Sequence, residues 1–255
     1  NVLDGRGGVD TLVGQAGDDT YVINDNADTI DELSSGGAGI DTVVSSVDTA
    51  INGAFFTVLG VVENLTLVGT AVVGTGNVYN NVLTGNAQDN VLVGGNGGDI
   101  LRGGAGNDQL LVGNFDYSDT AGNEAYGEDG NDVLAGGSQG DFLHGDDGDD
   151  TLFGADGGDF LFGGDGHDVL IAGNFDYADN AGNTLYGEGG DDQLYGGSFG
   201  DTLSGGDGND YLYGKGGNDS LFGEAGDDLY DVEDAGDEVV EAADAGHDTV
   251  QTSVD

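Results

Sequence analysis

The chain contains no cysteine, methionine, tryptophan or proline, and of its 255 residues only three are basic, Arg6, Arg102 and Lys215. Without cysteine there can be no disulfide, no thiol nucleophile and no zinc–thiolate site. That absence suits a protein exported without oxidative folding. Three scattered cations cannot make the basic footprint that nucleic-acid binding requires. No apolar run approaches the roughly 20 residues of a membrane-spanning helix, and no basic amphipathic helix is available for a membrane surface. Neither a nucleic-acid partner nor membrane insertion is expected.

What is abundant is acid and glycine. Fifty acidic residues set the formal net charge at −47, 54 residues are Gly, and 36% are hydrophobic. Composition alone predicts disorder, because so little apolar surface cannot offset chain entropy and self-repulsion. The order of the residues predicts otherwise, because it is periodic.

Residues 128–170 read EDGNDVLAGGSQGDFLHGDDGDDTLFGADGGDFLFGGDGHDVL. Asp132, Asp141, Asp150, Asp159 and Asp168 recur every nine residues, each followed two residues later by Leu134, Leu143, Leu152, Leu161 or Leu170. A Gly-rich turn precedes each Asp. The same phase holds Asp10, Asp19 and Asp28 early in the chain, Asp99 and Asp108 after the amides Asn81 and Asn90, and Asp192, Asp201, Asp210, Asp219, Asp228 and Asp237 late. Asp41 and Asp248 keep it after short insertions.

This pattern resembles the nonapeptide GGxGxDxUx of RTX (repeats-in-toxin) proteins, where U is a large aliphatic residue. GGAGNDQLL (103–111), GGDGHDVLI (163–171) and GGDGNDYLY (205–213) are complete copies. The resemblance implies an all-β fold, a calcium-bound parallel β-roll (β-solenoid) with about 18 residues per coil. It implies multiple Ca2+ ions, with ligands at Asp10, Asp19, Asp28, Asp99, Asp108, Asp132, Asp141, Asp150, Asp159, Asp168, Asp192, Asp201, Asp210, Asp219, Asp228 and Asp237.

Elementary chemistry agrees. Gly permits the sharp turn, and the three residues after Asp make a short strand whose central Leu points opposite to its neighbours. Coils of two nonapeptides stack at about 4.8 Å, so an Asp lies against the Asp one coil earlier. The pairs are Asp10/Asp28, Asp132/Asp150, Asp141/Asp159, Asp150/Asp168, Asp192/Asp210, Asp201/Asp219, Asp210/Asp228 and Asp219/Asp237, with Asn81/Asp99 and Asn90/Asp108 carrying less charge. Such carboxylates repel unless a cation lies between them. Calcium, which takes roughly six to eight oxygens in loose geometry, fits better than magnesium. Asp149, Asp191 and Asp227 are expected to be solvated charge. With so thin a core, folding and metal binding are expected to be one event.

Three segments are expected: an RTX roll over 1–44, a calcium-poor strand-rich solenoid or linker over 45–80, and the main roll over 81–255 with inserts at 113–127 and 173–187. The inserts repeat with a period of 60, GNFDYSDTAGNEAYGEDGND (113–132) returning as GNFDYADNAGNTLYGEGGDD (173–192). Asn114, Asp116 and Asp119, and equivalently Asn174, Asp176 and Asp179, could make a second calcium loop or only a bulge. A longer repeat relates 17–48 to 226–255, with an offset of 209 at its start and 207 at its end. It suggests a piece of a longer tandem array. Aromatic residues such as Phe142, Phe153, Phe160, Phe162, Tyr211 and Tyr213 flank inward leucines and should face outward, beneath the inserts or another chain.

Catalytic patterns are weak. There is no HExxH, and GxSxG occurs at Ser138 and Ser198 only inside expected turns. His144, His167 and His247 fall at variable positions of the repeat, where solvated turn residues are expected. The sequence reads as a non-enzymatic, extracellular, calcium-dependent structural segment of a filament, stalk or adhesin, secreted, with association to the cell surface as one option. Self-association into filaments or with neighbouring repeats is the partner expectation beside calcium. The alternative is the secretion and folding module of a type I-secreted enzyme such as a protease, lipase or alginate epimerase.

Overall fold

The computed structural model describes residues 1–32, 39–52, 57–113, 121–173, 179–242 and 245–253. Every strand pairing among them is parallel, and no helix occurs there. One sheet has 13 strands, from Val2–Asp4 to Glu238–Val240, and a second has 11, from Thr49–Ala50 to Thr249–Thr252. A third, of three strands, joins Thr11–Val13, Thr29–Asp31 and Thr57–Leu59. From Asn64–Leu67 onward, successive strands alternate between the two large sheets. Phe142–Asp147 lies in the first, Thr151–Phe153 in the second, and Phe160–Asp165 in the first again. The chain is therefore a parallel β-solenoid of about 12 turns, wound at about 18 residues per turn.

The register gives the winding directly. Phe142 pairs with Phe160 and Thr151 with Val169, each one turn further along the chain. Two coils are longer by six residues, so Ile100 pairs with Glu124 and Phe160 with Thr184. The strands Glu124–Asp129 and Thr184–Gly189 thus begin inside the stretches 113–127 and 173–187. In 45–80, Thr49–Ala50, Asn64–Leu67 and Val73–Thr75 pair into the two large sheets.

The core is a column of single side chains. Leu134, Leu143, Leu152, Leu161 and Leu170 are each 0% exposed, as are Leu185, Leu194, Leu203, Leu212 and Leu221. Each is the inward residue of its strand, and each contributes roughly 1.5–3 kcal/mol of apolar burial. That is one large side chain for every nine residues to be ordered, and ordering costs about 1–2 kcal/mol per residue in backbone entropy. Burial alone does not carry this fold.

The flanking side chains face outward. Phe142 and Phe160 stack at 4.9 Å between ring centroids, and both are exposed. Beside them Tyr126, His144, Phe162 and Tyr186 form one continuous stack with centroid spacings of 4.9, 4.4 and 5.2 Å, capped by the Arg102 guanidinium over Tyr126. His144 is therefore a strand residue sandwiched between rings, not a solvated turn residue. The expectation that the inserts cover these rings falls on residues outside those described.

Candidate metal centres

Each in-phase Asp immediately precedes a strand, and its carbonyl joins the hydrogen bonding of the sheet. The Asp132 carbonyl accepts the Thr151 N–H at 2.9 Å, and the Asp141 carbonyl accepts that of Phe160 at 2.9 Å. This fixes where the side chain can go: its Oδ1 reaches back and accepts the backbone N–H of the Asp one coil earlier. All eight Asp pairs expected from the repeat are joined this way: Asp10 to Asp28, Asp132 to Asp150, Asp141 to Asp159, Asp150 to Asp168, Asp192 to Asp210, Asp201 to Asp219, Asp210 to Asp228 and Asp219 to Asp237. Asn81 and Asn90 donate likewise to Asp99 and Asp108, and Asp19 to Asp41.

The ladder also contains rungs that the nonapeptide phase misses. Asp99 donates to Asn123 Oδ1 and Asp159 to Asn183 Oδ1 across the two longer coils, and these Asn residues donate in turn to Asp141 and Asp201. Counting back one ordinary coil from Asp141 and Asp201 reaches both, and each is followed two residues later by a buried core residue, Ala125 or Leu185. Asp41 donates to Glu63. Of the insert residues considered as a calcium loop, Asn114, Asp116, Asp119, Asn174 and Asp176 lie outside the described residues. Asp179 is occupied by the Ser198 N–H and the Asn183 amide.

The second carboxylate oxygen distinguishes the sites. Oδ2 of Asp10, Asp108, Asp132, Asp150, Asp159, Asp168, Asp192, Asp210, Asp219 and Asp228 is buried with no hydrogen-bond partner. It faces a small cradle. A Cβ on Gly103 would fall within 3.0 Å of both Asp108 Oδ2 and the Gly127 carbonyl oxygen of the next coil, and a Cβ on Gly145 would do the same to Asp150 Oδ2 and the Gly163 carbonyl. Only Gly leaves that space open. The residue after this Gly takes positive φ, 109° at Gly104 and 74° even at Glu128.

Where the chain has Asn, the cradle closes on itself. Asn81 Oδ1 accepts the Asn77 N–H at 2.7 Å, and its amide donates to the Glu63 carbonyl at 3.0 Å. Asn90 does the same with Asn86 and Ala71. Asp141 and Asp201 follow the Asn pattern: Oδ2 accepts the N–H of Gly137 or Gly197 at 2.6 Å. Their turns, GGSQG and GGSFG, lack the Gly two residues before the Asp, and neither Gly137 nor Gly197 has positive φ. Ser138 and Ser198 sit in these turns, without the strand–elbow–helix that a nucleophile of that motif needs.

Burial makes the unpartnered carboxylates uncomfortable as anions. It pushes Asp132, Asp168, Asp210 and Asp219 up to about 7 and Asp159 up to about 8. The ladder hydrogen bond pulls each back, and neighbouring carboxylates push them further up. The donor set is carboxylate and main-chain carbonyl oxygen, without nitrogen or sulfur. A hard cation with flexible, oxygen-rich coordination fits it, which is the chemistry of calcium.

A family model decides the matter. The RTX calcium-binding nonapeptide repeat (4 copies) matches residues 1–30, 75–110, 126–161, 144–176, 177–203, 195–230 and 204–239. The chain belongs to the RTX calcium-binding repeat family. A search of curated proteins finds no match. RTX repeats bind multiple Ca2+ ions in β-rolls, and no enzymatic family is indicated. Proteins bearing such repeats are typically secreted by bacteria.

A second set of side chains runs beside the ladder in the opposite sense. Asp149 Oδ1 accepts the His167 N–H, His167 Nδ1 accepts the Asp191 N–H, Asp191 accepts that of Asn209, and Asn209 accepts that of Asp227. These hydrogen bonds are exposed, but they tie coil to coil, where the sequence suggested only solvated charge.

Proposed function

We propose that this chain is an extracellular structural segment that folds and stiffens when calcium enters its turns, and that it forms part of a secreted filament, stalk or adhesin. The observation that carries the reading is the column of buried, unpartnered Oδ2 atoms, several of them sharing a cradle with a main-chain carbonyl of the next coil. The ions are held by Asp10, Asp108, Asp132, Asp150, Asp159, Asp168, Asp192, Asp210, Asp219 and Asp228, with Asp28, Asp99 and Asp237 completing their ladders. Asp141 and Asp201, whose second oxygens are taken by main-chain N–H groups, act as latches. When bound, calcium supplies the charge neutralisation that a net −47 chain otherwise lacks.

In a compartment poor in calcium the chain stays unfolded and can be exported as a thread; outside, millimolar calcium folds it. The test is far-UV circular dichroism with light scattering during a calcium titration. A cooperative gain of β-signal supports the folding role, and growth of mass beyond the monomer supports the filament. A spectrum unchanged between millimolar calcium and EGTA would overturn the folding role.

A further inference from the structure

Near residues 19–41 the coil departs from the nonapeptide, and the departure builds a different site. Asp19, Glu32 and Asp41 each offer a carboxylate oxygen, and the three oxygens lie within 4.8 Å of one another. The three residues are 2%, 3% and 2% exposed. Both oxygens of Glu32, Oδ2 of Asp19 and the hydroxyl of the fully buried Tyr21 are buried without a hydrogen-bond partner. They point at one spot: a Cβ on Gly14 would fall within 3.0 Å of the Tyr21 hydroxyl, Asp19 Oδ2 and Glu32 Oε1 together. The remaining polar contacts are structural. Asp19 Oδ1 accepts an N–H of the Asn1 amino group, and Asp41 Oδ1 accepts the Asp19 N–H.

The sequence explains why Glu can stand here. Glu32 lies one coil after Gly14, the place from which Gly127 lends its carbonyl after Gly103. At Gly103, Gly127 and Gly145 the in-phase Asp five residues later crowds this place, its Oδ2 lying within 3.0 Å of any added Cβ, so a longer residue cannot stand there. Five residues after Glu32 is Gly37, so no in-phase Asp competes. The arrangement recurs in the last coils. Glu241 lies one coil after Gly223 and five residues before Gly246. Asp228, Glu241 and Asp248 again bring three carboxylate oxygens within 4.8 Å. The buried Tyr230 hydroxyl donates to Glu241, and a Cβ on Gly223 would fall within 3.0 Å of Asp228 Oδ2 and that hydroxyl.

We propose that Asp19, Glu32 and Asp41 with the Tyr21 hydroxyl form a calcium site distinct from the nonapeptide turns, and that Asp228, Glu241 and Asp248 with Tyr230 form its second copy. The proposal rests on the calcium reading above but assigns new ligands to it. A side chain replaces the main-chain carbonyl, so the site carries three negative charges from side chains. Charge count and rigidity set calcium affinity, so the enclosed first copy fills before the turn sites, at about tenfold lower calcium or less. Tyrosine at the ion also distinguishes it, because terbium bound there is excited through the ring.

The experiment uses the full chain and compares wild type with Glu32→Gln, Glu241→Gln and Asp150→Asn. Calcium bound per chain is measured by equilibrium dialysis, and terbium emission is excited through tyrosine at substoichiometric metal. Glu32→Gln should lose one tight ion and most of the early terbium emission while keeping the weaker ions. Asp150→Asn should lose a weak ion and keep the early emission. If Glu32→Gln fails to fold in saturating calcium, Glu241→Gln at the exposed second copy gives the same ion count. Unchanged stoichiometry and emission in the Glu variants, with an ion lost in Asp150→Asn, would overturn this site alone. A wild-type chain that binds no calcium would overturn the family-level reading instead.

Discussion

Oδ1 of Asp150 accepts the backbone N–H of Asp132 at 2.6 Å, while Oδ2 of the same carboxylate is buried with no partner. One oxygen thus ties coil to coil, and the other is the one to which the proposed function assigns the cation. The division separates the two roles of the repeat, and it can be tested residue by residue.

Asp150→Asn keeps an oxygen for the ladder and removes the charge. Asn81 and Asn90 show that an amide can satisfy both its groups in this position. The variant should bind calcium less tightly and lose about 1–3 kcal/mol of stability in calcium, the usual scale for a charge-assisted contact. In EGTA it should show no less β-signal than wild type, because the buried charge is gone. Thermal melts in calcium and circular dichroism in EGTA check the two halves, and a variant as stable as wild type in calcium would contradict the division of roles.

The metal-free chain should respond to acid. The carboxyls of Asp132, Asp159, Asp168, Asp210 and Asp219 are raised to about 7–8 by burial, above an unfolded value of about 3.9. A raised acid is penalised in the fold once it ionises. The penalty is therefore full above about pH 8, shrinks as pH falls, and vanishes below about pH 4. In EGTA the chain should gain β-structure between pH 8 and 5, read by circular dichroism. Loss of structure over that range would give the wrong sign.

Two neighbouring turn positions should answer oppositely. Gly145→Ala places a Cβ against Asp150 Oδ2 and the Gly163 carbonyl, so it should remove one ion and lower the melting temperature in calcium. Ala155 holds φ at 73°, a conformation that costs a non-Gly residue about 1–2 kcal/mol. Ala155→Gly should therefore stabilise the calcium form by up to about 1 kcal/mol after the added flexibility of Gly is counted. Denaturant titrations in calcium measure both.

The outer stack should matter less than the turns. His144 lies between Tyr126 and Phe162, and burial holds its imidazole below the usual value. Stacked rings contribute roughly 0.5–1.5 kcal/mol beyond their area. His144→Phe should be neutral or stabilising, and His144→Ala should cost about 1 kcal/mol without changing the number of ions. A lost ion would contradict the separation of surface stack and metal turns.

The winding was legible because the signals were local and repeated. Asp-x-Leu every nine residues fixes both the inward Leu and the Asp one coil away, and Leu134 through Leu170 in this phase are all fully buried. Asn123 and Asn183 were hidden by six extra residues, which break the count without breaking the stack. The difference between Asp150 and Asp141 was not visible in the Asp. It lies in the turn before it, where loss of one Gly lets the Gly137 N–H reach the carboxylate. Glu32 was missed for a related reason: Asp19 and Asp41 stand well to either side of it in the chain, and only the fold brings the three together.

The most direct test is the radius of gyration by small-angle scattering, on a chain held first in EGTA at neutral pH and then in millimolar calcium. From the scaling of chain size with length, an unfolded chain of this size has a radius of roughly 56 Å and a compact one a radius of roughly 18 Å. Contraction from about the first value to somewhat above the second, as a short rod requires, is the predicted result. A radius that does not change when calcium is added would contradict the claim that calcium binding and folding are one event.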